Sequence, residues 1–116
     1  MSSDVKVKIV QPSGILDSTK AAQFRSEINE LIAVRPDYTL PNYILIDFQD
    51  VTFMDSSGLG ALVLALKSVR SAGSQFVVCS INEQIRILFE LTSMDRVFDI
   101  FSNRDAFQDS IDKTGA

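Results

Sequence analysis

Residues 52–63 read TFMDSSGLGALV, an acid followed by two serines, two nearby glycines and an apolar run. Small hydroxyl residues beside glycines can build a phosphate cradle, a nucleophile or a tight turn. A Walker-type phosphate loop ends in Gly-Lys-Ser/Thr, because its lysine reaches the phosphates. After Met54 no lysine occurs before Lys67. A nucleophile elbow sets glycines two before and two after its serine. Here Met54 stands two before Ser56, and Asp55 two before Ser57. An aspartyl phosphatase wants a second acid two residues after the first, and Ser57 occupies that place. The sequence has no histidine, which removes Ser-His-Asp hydrolysis, Cys-His proteolysis and nearly every zinc enzyme. The chain is therefore expected not to be an enzyme, and to use neither cofactor nor metal.

Two accounts of the turn survive. In one, a serine is the substrate of another protein's kinase. A hydroxyl at a helix start is accessible, and the backbone N–H groups and helix dipole there tolerate a phosphate. In the other, Asp55 and Ser56 merely cap a buried helix while Gly58 and Gly60 let it pack closely. The residues alone leave both open.

The elements that must position this turn follow from periodicity. Val5, Val7 and Ile9 alternate with Lys6, Lys8 and Gln11, the two-residue period of a half-buried strand. Pro12, Ser13 and Gly14 then read as a turn. A helix follows from Asp17 or Ser18 as N-cap, with Ala21, Phe24, Ile28, Leu31 and Ile32 on one face. It should stop before Pro36, and RPDYTLPN (residues 35–42) reads as an exposed loop. Residues 43–48, YILIDF, suit a strand covered on both faces. A heavily apolar helix is expected over residues 57–72, with Gly73 just past its end. Another strand is expected over residues 75–80. Asn82 can cap a third helix that carries Ile85, Leu88, Phe89 and Leu91. A last strand over residues 96–101 and a terminal helix from Ser102 or Asn103, holding Ala106, Phe107 and Ile111, complete the pattern. Strands alternating with helices imply an α/β fold with a small, mixed but mainly parallel β-sheet and about four α-helices packed mostly on one face. Ile44, Leu45, Ile46, Leu62, Leu66, Val77, Val78 and Leu88 are the expected core. No internal repeat is visible. In such sheets functional loops gather at the carboxyl ends of the strands, where the DSSG turn falls.

Composition bounds the rest. The 116 residues, 46% of them apolar, suit one domain over 1–116, with a core over 5–112 and short flexible termini. Eleven basic residues are scattered and outnumbered by fifteen acidic ones, for a net charge of −4. Neither direct nucleic-acid binding nor an anionic membrane surface is expected. The longest apolar run is far short of a bilayer span of ~20 residues, no signal peptide is evident, and the expected location is cytoplasmic. The single cysteine, Cys79, lies in QFVVCS and reads as a small buried hydrophobe.

The stretch FMDSSGLG, running into an apolar helix, resembles the signature of STAS-domain anti-anti-sigma factors, the anti-sigma factor antagonists of bacterial partner switching. GILD at residues 14–17 followed by Ala21, FVVCSI at 76–81 and RILFELTSMDRVFDIF at 86–101 match in order. The likeness covers about residues 5–101. It implies that Ser56, directly after the aspartate, is phosphorylated by a cognate anti-sigma factor serine/threonine kinase and reset by a phosphatase. The unphosphorylated chain would capture the kinase and free the sigma factor. The resemblance further implies that Asp55 orients Ser56 and meets the kinase, that Ser57 is neighbour and helix cap, and that Gly58 and Gly60 shape the turn. Asp17 and Thr19 would border the same partner-binding surface. Ser93 stands where the family commonly ends its third helix in glycine. Self-association is left open. Two other classes remain, a constitutive STAS subunit of a larger transporter-associated complex and a nucleotide-binding STAS module.

Overall fold

The computed structural model describes residues 5–115, with side chains through residue 112. The elements in chain order are β1 (Val7–Val10), β2 (Ser13–Leu16), α1 (Ser18–Ile32), β3 (Tyr43–Asp47), β4 (Asp50–Met54), α2 (Ser56–Ala72), β5 (Gln75–Cys79), α3 (Glu83–Leu91), a 3-10 turn (Met94–Arg96), β6 (Asp99–Phe101) and α4 (Arg104–Gly115). The expected flexible termini fall partly on residues 1–4 and 116, which lie outside the described residues.

The main sheet has the order β1-β3-β5-β6, and its pairings are all parallel. The apolar runs of β3 and β5 serve two cores because alternate side chains face opposite ways. Ile44, Ile46, Phe76 and Val78 meet residues of α1, α2 and α3, including Phe24, Leu62 and Phe89. Leu45, Val77 and Cys79 meet Phe107 and Ile111 of α4 on the other face. Three helices thus lie on one side and one on the other.

Two strands were not legible in the sequence. Of the turn expected at Pro12–Ser13–Gly14, Ser13 and Gly14 instead belong to β2, and β4 fills the gap before the DSSG turn. They form a parallel two-stranded sheet, with a register shift between Gly14 and Ile15. Through it Val51 and Met54, three residues apart, are both buried, which breaks the strict alternation that marks a strand. The units β1-β2-α1 and β3-β4-α2 thereby pair strand with strand, and α1 packs on α2. This topological duplication leaves no repeat in the sequence.

Smaller departures have local causes. The last strand is only Asp99–Phe101, since Met94–Arg96 takes a 3-10 turn and Phe98 turns inward against Phe89, with ring centroids 5.1 Å apart. Ser93 adopts the left-handed region with φ 61°, the conformation that favours glycine there. Leu91 points outward at 79% exposure, and Leu88 is only half-buried. The loop before β3 is anchored rather than loose. Tyr38 donates to Leu31 O at 2.7 Å, Arg35 stacks over its ring, and Pro41 is buried with its carbonyl bound by Ser74 Oγ.

Cys79 is fully buried, and desolvation pushes its thiol up, with a Ser80 hydrogen bond opposing and the charge of Asp47 reinforcing the shift. The thiolate is the reactive form. Iodoacetamide should therefore modify Cys79 only as the chain unfolds, and prompt alkylation in native buffer, read by intact mass, would contradict that burial.

Candidate functional site

The register of β2 with β4 sets Leu16 beside Met54, so the two helix starts that follow are neighbours. Asp55 N–H donates to Leu16 O at 3.4 Å, which joins the second start to the end of β2. Asp17 is the N-cap of α1, and its Oδ1 accepts from Thr19 N at 3.0 Å and Lys20 N at 3.4 Å. Asp55 caps α2 the same way, with Oδ1 accepting from Gly58 N at 3.0 Å. Each carboxylate satisfies donors that a helix start leaves open. The cap of α2 is thus Asp55 and not Ser57, because the helix already begins at Ser56. The Asp55 carboxylate is bound to Gly58 rather than to Ser56.

Ser56 and Ser57 occupy the first two helical positions and are exposed. Among the described residues neither hydroxyl has a hydrogen-bond partner. Thr19 is likewise exposed at the start of α1. Asp17, Thr19, Asp55, Ser56 and Ser57 therefore share one end of the molecule, at the carboxyl ends of β2 and β4.

The two glycines differ. A Cβ on Gly58 would fall 2.2 Å from Leu16 O and 3.0 Å from Met54 Cγ, so α2 rests on the β2–β4 backbone there. A Cβ on Gly60 would meet nothing within 4 Å. The expectation that Gly60 shapes the turn or permits internal packing does not hold. Met54, fully buried, fills the space beneath the turn.

Two residues that brace the site carried no functional signal in the sequence. The side-chain amide of Gln84 pairs with the backbone of Met54, accepting from its N–H at 2.9 Å and donating to its carbonyl at 2.8 Å. Asn82 Nδ2 donates to Thr52 O at 3.1 Å and Val51 O at 3.3 Å, while its Oδ1 caps Ile85 N. Amides from the start of α3 thus bind the backbone of β4 on the edge away from β2. Asn82 was legible as a cap but not as a brace, since its partners lie about thirty residues upstream.

The site is thus two exposed serines at the first turn of an aspartate-capped helix, set on a parallel α/β layer. The chain belongs to the STAS domain family, whose model matches residues 2–107. It is 29% identical over 97 residues to the anti-sigma F factor antagonist of Paenibacillus polymyxa, covering 84% of this chain and 80% of that one. A crystal structure of a candidate anti-sigma factor antagonist from Thermotoga maritima superposes with a TM-score of 0.77 at 29% identity, over 90% of this chain and 86% of that one. The phosphorylated form of the Bacillus cell fate determinant SpoIIAA has the same fold, with a TM-score of 0.66 at 18% identity over 91% and 92% of the two chains. No helix among the described residues is long and apolar enough to cross a membrane.

Proposed function

We propose that this chain is an anti-sigma factor antagonist that captures an anti-sigma serine kinase while Ser56 is bare and releases it once Ser56 is phosphorylated. The observation that carries the reading is the exposed, unbonded Ser56 hydroxyl, directly after the Asp55 cap in a STAS chain with antagonist relatives. On this reading the whole chain is one cytoplasmic, non-catalytic domain that meets its kinase through Asp17, Thr19, Asp55, Ser56, Ser57 and Gly58. A phosphatase resets it.

The energetics favour release over unfolding. Phosphate brings about −1.5 to −2 charges, partly offset within the chain by the N-terminus of α2. A kinase face shaped for a neutral hydroxyl has no such offset and meets repulsion worth several kcal/mol. That weakens binding by about a hundredfold or more, at 1.4 kcal/mol per decade. Calorimetric titration against the purified anti-sigma kinases of the source organism should show Ser56→Ala binding constitutively and the phosphorylated chain binding at least about a hundredfold more weakly. Ser57→Ala should still accept one phosphate by intact mass. Phosphate mapping to Ser57, or equal affinity of bare and phosphorylated chains, would remove Ser56 from this role.

A further inference from the structure

The outer face of α2 carries a glycine that the fold does not need. Gly60 is helical, and after proline glycine is the poorest helix former. Its backbone does not take the left-handed region, and no internal atom lies where its Cβ would be. Glycine also serves where something outside must approach a backbone closely. Gly60 lines an open groove of about 650 Å³, together with Val63, Leu64, Met94, Arg25 and Ser56. Leu64 is 45% exposed. Arg25 is the one charged residue among the described lining residues, and it has no ion pair or hydrogen bond among them.

One occupant fits. A kinase that brings its nucleotide to the Ser56 hydroxyl must cover the groove, because that serine is part of its wall. Apart from three hydroxyl residues, Ser56, Ser57 and Thr92, the lining is apolar with a single unpaired cation, which complements an apolar side chain flanked by a carboxylate. We infer that the anti-sigma kinase seats an apolar side chain against α2 over Gly60, beside Val63, Leu64 and Met94, and pairs an acidic residue with Arg25. This rests on the kinase-binding reading of Ser56. A side chain at position 60 would fill the seat, which accounts for glycine at an exposed helical position.

The test compares the full chain with Gly60→Leu and Arg25→Glu in titrations against the same purified kinases, with urea denaturation run alongside. Gly60→Leu should unfold at a urea concentration no lower than the wild type, since leucine is the stronger helix former. It should nevertheless bind the kinase at least about tenfold more weakly. Arg25→Glu, a change at an exposed position, should weaken binding by about tenfold or more while Arg25→Lys retains most of it. If Gly60→Leu proves poorly folded, the Arg25 pair decides alone. Wild-type affinity in both Gly60→Leu and Arg25→Glu, with phosphate still entering Ser56, would overturn the groove and leave the switch standing. If no kinase binds the wild type, the parent reading falls and the groove falls with it.

Discussion

Gly58→Ala is expected to lower the unfolding free energy by about 3 kcal/mol or more, at the top of the range for overpacking. It should do so although alanine is the better helix former by roughly 1 kcal/mol. The new methyl would stand 2.2 Å from Leu16 O. That oxygen belongs to backbone and cannot rotate away as a side chain would. It also accepts the Asp55 N–H, so relieving the clash moves α2 off β2 and opens the contact that joins the two helix starts. Gly60→Ala, two residues on, is the control. With open space at its Cβ it should be neutral or stabilising by up to about 1 kcal/mol. Urea denaturation of both variants makes the comparison. A Gly58→Ala chain within 1 kcal/mol of the wild type would mean that α2 does not rest on that carbonyl.

Arg104→Ala is expected to cost about 3 kcal/mol, the low end for removing one partner of a buried ion pair. Asp47 is fully buried, and its Oδ2 accepts from Arg104 Nε at 2.5 Å. Its other oxygen, Oδ1, accepts from Gln49 N at 3.0 Å. Arg104 also reaches Gln11 Oε1 at 2.7 Å, and Gln11 Nε2 donates to Asp50 at 3.1 Å. One guanidinium thus ties the start of α4 to the chain between β1 and β2 and to the end of β3, and through Gln11 to the start of β4. Its side chain is 44% exposed, so water can relieve part of the loss, and for that reason the lower figure is expected. Asp47→Asn in the Arg104→Ala background should recover stability, because it removes the stranded charge. A double-mutant cycle by chemical denaturation measures this coupling. A loss under about 1 kcal/mol for Arg104→Ala would show that the pair acts as a surface contact.

The legible part of the fold consists of features written in consecutive residues. The apolar run at residues 43–48 announced a strand covered on both faces and residues 75–80 announced a further strand, and both are buried on two sides. Gly73, with φ 97°, ends α2 where the pattern placed it. Asp17 and Asn82 were readable as caps, because a cap bonds N–H groups two or three residues ahead. The position of Ser56 at the start of α2 was readable to within one residue.

The sequence by itself therefore determined the alternation of strands and helices, the two-faced strand at residues 43–48 and the Asp-Ser start of α2 with its exposed serine. Each of these arises from side-chain period or from bonds across a few residues. Only the tertiary structure decided that β2 and β4 exist as a pair, since strands of four and five residues with a bulge lose the period and gain their stability from each other. Only it could separate Gly58 from Gly60, because the difference is the carbonyl of Leu16, which lies some forty residues upstream in sequence and against the helix in space. The braces from Gln84 to Met54 and from Arg104 to Asp47 span 30 and 57 residues. Contacts over such separations leave no local pattern, because chain folding alone brings their partners within hydrogen-bond reach.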